Sequence, residues 1–256
     1  MCYDDGARVP LPPVSGGSGD GHDIVLTAAD GNKFSAYIAY SSQADGAQVL
    51  IYPDIRGLHQ FYKELALRFA EAGIRALAID YFGRTAGLTS RAEPFDWQPH
   101  VTAMTIPTFL ADVAAALDYL KAQAKTPRKT FIVGFCRGGT LALHTSAEQF
   151  DLSGIIAFYA GMSRSIPGER GTALEQAGKA RYPVLGLFGG ADQGIPPEQV
   201  KQLDEQLGVA GVAHEIVTYP GAPHSFFDRR YAEFADASAD AWQRMLHFIA
   251  TGNPKM

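Results

Sequence analysis

The chain is poor in cysteine, in basic excess and in long apolar runs. Cys2 and Cys136 are the only thiols among 256 residues. Two cysteines cannot build a disulfide framework for a chain of this size, nor a Cys-rich zinc site, and such a count suits a reducing compartment. Lys and Arg number 22 against 27 Asp and Glu, a formal charge of −5. Nucleic acid is therefore not an expected partner, because phosphate binding needs clustered cations. The apolar runs are of strand length, far short of a membrane span, so no membrane partner is expected either. Met1-Cys2-Tyr3-Asp4-Asp5 offers neither a basic nor an apolar leader, and the expectation is a cytoplasmic protein. No histidine pair has HxH or HExxH spacing, so neither a metal nor another cofactor is expected.

What is present is ample core-forming material, at 46% hydrophobic residues, which argues against intrinsic disorder. The length fits one large domain or two small ones. Residues 10–21 read PLPPVSGGSGDG. Proline and glycine dominate there, so residues 1–21 are expected to form a flexible arm and residues 22–256 a single domain. Within that domain Asp23–Ala28 and Lys33–Tyr40 flank the turn Asp30-Gly31-Asn32 as a hairpin. The apolar runs Gln48–Tyr52, Ile74–Ile79, Thr130–Val133, Ile155–Tyr159, Val184–Phe188 and Glu215–Tyr219 read as strands. Between them the apolar period lengthens to three or four, most clearly at Ile106, Leu110, Val113, Leu117 and Leu120. Helices are expected near residues 59–72, 106–123, 138–147, 197–207 and 231–249, with residues 83–105 irregular. The alternation implies an α/β fold, a mostly parallel sheet with helices on both faces and an antiparallel N-terminal hairpin at its edge.

The segment richest in chemistry is Phe131-Ile132-Val133-Gly134-Phe135-Cys136-Arg137-Gly138-Gly139. A strand runs into Gly-x-Cys-x-Gly-Gly and then a helix, the form of a nucleophile elbow with cysteine in place of serine. The turn is strained, and the residues two before and two after the nucleophile must be nearly free of side chain; Gly134 and Gly138 meet that need. The helix N-terminus aims N–H groups and a positive dipole end at the thiol, favouring thiolate. Alone, a free cysteine reads as a small buried hydrophobe; this context makes Cys136 the candidate nucleophile. Its partners follow in the order that such folds use. Asp192 ends Gly189-Gly190-Ala191-Asp192 after one strand, and His224 ends Pro220-Gly221-Ala222-Pro223-His224 after the next. All three fall at the same edge of a parallel sheet, where such sheets build their sites. His22, His144, His214 and His247 read as surface or packing residues, and His59 and His100 as loop residues without that strand-end placement.

These segments resemble the dienelactone hydrolase family of the α/β-hydrolase superfamily. The resemblance spans nearly the whole chain. It is carried by VLIYPDIRGLHQFYKELALRFAEAGIRALAIDYFGR, VGFCRGG, PVLGLFGGADQGIP and YPGAPHSFF, of which the cysteine elbow is the most specific. It implies the α/β-hydrolase fold and the triad Cys136, Asp192 and His224. It also implies an oxyanion hole from the backbone N–H groups of Ile55 and Arg137, and a thiol-modulating carboxylate at Asp54, where the family has Glu. Arg84, in DYFGR, takes the place of the family's substrate-carboxylate anchor. The family's second such arginine falls at Asp228 here, followed by Arg229 and Arg230, of which Arg229 is the stand-in. The segment holding Trp97 and His100 is expected to form a lid or pocket wall, with Trp97 against substrate.

The function implied is carboxylic ester hydrolysis, of the carboxymethylenebutenolidase kind known from aromatic degradation. The partner would be a small-molecule ester or lactone, dienelactone-like and carboxylate-bearing; nothing in the sequence fixes the oligomeric state. Two alternatives stand beside it: a carboxylesterase or thioesterase of another substrate class with the same triad, and a non-catalytic ligand-binding or redox-sensing relative with a reactive Cys136.

Overall fold

A computed structural model describes residues 19–41, 46–92, 94–168, 170–228 and 230–256. Strands β1 (Gly19–Thr27) and β2 (Lys33–Ser41) form the expected antiparallel hairpin. Then come β3 (Gln48–Tyr52), α1 (Gln60–Glu71), β4 (Arg75–Ile79), α2 (Gly83–Ala86), α3 (Gln98–Ala103) and α4 (Ile106–Ala122). The second half contains β5 (Thr130–Phe135), α5 (Arg137–Ser146), β6 (Gly154–Phe158), α6 (Ala173–Ala177), β7 (Val184–Gly189), α7 (Pro197–Ala210), β8 (His214–Tyr219) and α8 (Ala235–Thr251). One sheet holds all eight strands in the order β1-β2-β4-β3-β5-β6-β7-β8. From β4 to β8 every neighbour pair is parallel, and β2 joins β4 antiparallel. This is the α/β-hydrolase fold.

Strands β3, β5, β6 and β7 are buried along their whole length. A parallel sheet covered on both faces leaves no strand face for water, so its strands read as unbroken apolar runs rather than alternating ones. The α4 stripe works as its period predicts: Ile106, Leu110, Val113 and Leu120 are buried, and Leu117 packs half-buried against the core. No helix among the described residues is long and apolar enough to cross a membrane.

Three features depart from the sequence expectations. Residues 83–105 are not wholly irregular but carry α2 and α3; these helices are too short to show a period. Helix α6 was not expected; it starts at a capping box in which Thr172 and Glu175 satisfy each other's backbone N–H groups. The expected arm falls on residues 1–18 outside the described residues, but Gly19, Asp20 and Gly21 belong to β1 and pair with Ser41, Tyr40 and Ala39. A Cβ at Gly21 would crowd the Tyr37 ring and the Ile38 carbonyl, so glycine there permits close strand pairing rather than marking a linker.

Candidate active site

The parallel strands end at one edge, and the loops leaving β3, β4, β5, β7 and β8 converge there. Register sets the neighbours. Tyr52 opposite Gly134 puts the Pro53-Asp54-Ile55 loop beside Phe135 and Cys136. Gly189 opposite Tyr219 does the same for the loops carrying Asp192 and His224, which are stitched further by Ala191 N–H donating to the Ala222 carbonyl at 2.9 Å.

Cys136 sits between β5 and α5 with φ 53° and ψ −111°, a conformation that costs a non-glycine residue about 1–3 kcal/mol. The packing around the turn holds it there. A Cβ on Gly134 would collide with the Gly138 carbonyl, and one on Gly138 with the carbonyls of Tyr52 and Pro53. Helix α5 thus begins pressed against both its own strand and the β3 loop. The Cys136 N–H donates to the Phe158 carbonyl at 3.1 Å, and its carbonyl accepts from Thr140.

Asp192 is buried. Its Oδ1 accepts from Gly194 N–H at 2.8 Å and its Oδ2 lies 2.6 Å from His224 Nδ1. His224 is half-buried, with its ring 5.0 Å from that of Tyr159. The non-glycine residues with positive φ among the described residues are Cys136, Tyr159 and Ser225. Backbone strain thus gathers at the thiol, beneath the imidazole and directly after it, the clustering expected of a functional site.

Asp54 is fully buried. Its Oδ1 accepts from Arg56 N–H at 2.9 Å, and its carbonyl accepts from the Tyr81 hydroxyl. Tyr62 and Tyr81 are also fully enclosed. Burial raises both phenols well above their ordinary range, and Asp54 and Cys136 raise them further. Tyr159 is raised by burial and by Asp228, to whose Oδ2 it donates at 3.0 Å. All three phenols therefore stay protonated, and Tyr81 and Tyr159 serve as donors. Sequence reasoning missed these tyrosines. Tyr81 and Tyr159 do stand immediately beyond strand ends, and that placement was the available signal.

Arg84 is held by contacts within the protein. Its Nε and Nη2 donate to both oxygens of Asp112, at 3.0 and 2.8 Å, and its Nη1 reaches Asp30 at 2.6 Å. Asp112 is fully buried on α4 and also accepts from Asn32. The guanidinium thus clamps together the hairpin turn, α2 and α4. Replacing it strands a buried carboxylate, so Arg84→Ala should lower unfolding stability by about 2–4 kcal/mol. Urea unfolding measures this; a loss below about 1 kcal/mol would mean the clamp is solvated and weak.

Asp228, at the second anchor's place, is fully buried against Tyr159. Arg229 lies outside the described residues. Arg230 is paired with Glu233. Trp97 precedes α3, half-buried against the core's edge. Ile55 lies in the β3 loop beside the elbow. A cleft lined by Gln48, Leu117, Lys121, Arg128, Thr130 and Phe150 opens where β3 and β5 begin. It lies at the sheet edge opposite the strained cysteine.

The model of the dienelactone hydrolase family matches residues 34–252. The chain belongs to the dienelactone hydrolase family. It is 29% identical over 255 residues to the "Putative carboxymethylenebutenolidase" of Salmonella typhimurium, covering 95% of this chain and 93% of that one. The protein of the same name from Escherichia coli strain K12 is 28% identical over 227 residues, covering 86% and 83%. Among solved structures, the "Putative Dienelactone Hydrolase from Klebsiella pneumoniae" superposes with a TM-score of 0.80 at 26% identity, over 91% of this chain and 99% of that chain. An acylaminoacyl peptidase of Pyrococcus horikoshii shares the fold alone, with a TM-score of 0.74 at 13% identity, over 93% of this chain and 42% of that one. This member of the dienelactone hydrolase family is a carboxylic ester hydrolase acting on small-molecule lactones or esters.

Proposed function

We propose that this dienelactone hydrolase family member cleaves activated esters and enol-lactones through a covalent thioester on Cys136, with His224 and Asp192 completing a triad. The observation carrying the proposal is the strained cysteine at the head of α5 together with the 2.6 Å His224–Asp192 contact at the same sheet edge. Asp192 fixes the imidazole proton on Nδ1, so that Nε2 takes up and returns the proton of the thiol. Thiolate Sγ attacks the carbonyl carbon, and the backbone N–H groups of Ile55 and Arg137 stabilise the oxyanion. The carbon–oxygen bond breaks and the leaving enolate takes the proton from His224. Water then gives a proton to Nε2 and its oxygen attacks the thioester carbonyl. The carbon–sulfur bond breaks, releasing the carboxylic acid and restoring the thiolate.

The chemistry sets the substrate class. Thiolate leaves a tetrahedral adduct easily, so the adduct collapses backward unless the oxygen side departs better. An enolate or phenolate departs well, an alkoxide less so and an amine poorly. Asp54 modulates the thiol from the β3 loop, and Trp97 contributes to the pocket wall. A panel of an enol-lactone, aryl esters, alkyl esters, thioesters and amides tests this reading. The expected order of kcat/KM puts enol-lactone and aryl esters about 10²-fold or more above alkyl esters, with amides undetectable. A preference for alkyl esters or thioesters would move the protein to the carboxylesterase or thioesterase alternative.

A further inference from the structure

The steps above use only the backbone N–H of Arg137 and leave its side chain without a role. Arg84 binds Asp112 and Asp30, Arg91 binds Asp80 at 2.6 Å, and Arg244 binds Glu215 and Asp240. Arg137 is half-buried at the first position of α5 and forms no ion pair among the described residues, and its buried Nε meets no acceptor among them. Burying a cation without a counter-charge is costly, so the position is hard to explain by packing.

Its surroundings point the same way. Burial lowers the guanidinium's hold on its proton, while Tyr81 and Cys136 raise it. Arg137 opens α5 directly after Cys136, within electrostatic reach of the thiol and of Tyr81. His144, buried seven residues on along the same helix, is pushed down to about 4 by burial, then by Arg137 and Arg170. The carboxylates of Asp54, Asp192 and Asp228 are engaged by Arg56 N–H, His224 and Tyr159 respectively.

We propose that the Arg137 guanidinium binds an anionic group of the substrate, a carboxylate by its fork geometry, and determines specificity for acids over neutral esters. The proposal rests on the reading that Cys136 is the acylated thiol. A guanidinium offers paired N–H donors that match a carboxylate's two oxygens. Its placement one residue after the nucleophile sets the carboxylate close to the reacting carbonyl.

The test compares alkylation of Cys136 by iodoacetate and iodoacetamide. Both reagents form a thioether through Sγ and release iodide, so the ratio of their rates cancels any change in thiolate fraction and reports only the attraction for the reagent's charge. Peptide mass mapping separates adducts at Cys136 from those at Cys2. The iodoacetate-to-iodoacetamide ratio should be about tenfold or more higher in wild type than in Arg137→Gln, with Arg137→Lys between them. The same loss of ratio is expected in kcat/KM for matched anionic and neutral enol esters. Circular dichroism verifies that each variant is folded, and partial rescue by Lys separates charge from packing. An alkylation ratio unchanged in folded Arg137→Gln overturns the subsite, even with hydrolysis intact. A ratio that is high in wild type and collapses in Arg137→Gln, in a protein that turns over no ester, overturns the hydrolytic reading and leaves the subsite standing.

Discussion

Cys136→Ala is expected to lower kcat/KM on an enol-lactone by about 10⁴–10⁶-fold while leaving the protein folded. In the proposed mechanism the loss is large because the thiolate sulfur bonds to the substrate, and without it only the proposed oxyanion donors and binding remain. Folding should survive because alanine keeps the Cβ and bears the same strain at φ 53°. The donor to Phe158 and the acceptor for Thr140 are main-chain groups that alanine keeps. Stopped-flow absorbance on the lactone, paired with thermal melting of both proteins, measures the two halves of the expectation. Turnover within about tenfold of wild type in a folded Cys136→Ala protein would remove cysteine from the mechanism.

Asp192→Asn should cost about 10²–10⁴-fold in kcat at neutral pH. The substitution is nearly isosteric, and an asparagine oxygen can still accept from the Gly194 N–H, which now donates to Oδ1 at 2.8 Å. The damage falls on the other contact. An amide N–H facing His224 Nδ1 demands an acceptor there, which moves the ring proton to Nε2. That nitrogen then cannot take the thiol proton, and the imidazolium loses the carboxylate that stabilises it. Steady-state kinetics across pH read this directly. The kcat loss should persist at every pH where wild type is active, with KM changed little. A decrease of under about fivefold would mean the 2.6 Å contact orients the ring without tuning its charge.

Much of this architecture was legible in the residues, for reasons that differ by element. The parallel strands were readable because burial on both faces leaves no choice of residue, as in Gln48–Tyr52 and Val184–Gly189. The elbow was readable because its steric demands reach the sequence as glycines at fixed offsets: Gly138 has no room for a Cβ against the β3 loop. Asp192 and His224 were readable because each ends a strand-and-turn unit. The short helices α2, α3 and α6 were not, since a helix of one turn or so has no period to detect. The Arg84 clamp was illegible for a different reason. The motif that resembles a substrate anchor places an arginine at the end of DYFGR, but its partners Asp30 and Asp112 come from a distant turn and helix. Nothing local to Arg84 reveals that its donors are already occupied. The Tyr159–Asp228 bond, spanning 69 positions, hid in the same way.

The central claim is that the substrate's acyl group passes through a bond to Cys136. Rapid quenching of the wild-type protein during turnover of a slow aryl ester, followed by intact-mass measurement and peptide mapping, tests it most directly. The result predicted is a mass increase equal to the acyl group, located on Cys136, formed at a rate no slower than turnover and released by hydroxylamine. Turnover with Cys136 unacylated throughout, or a thiol that gains only oxygen, would contradict it.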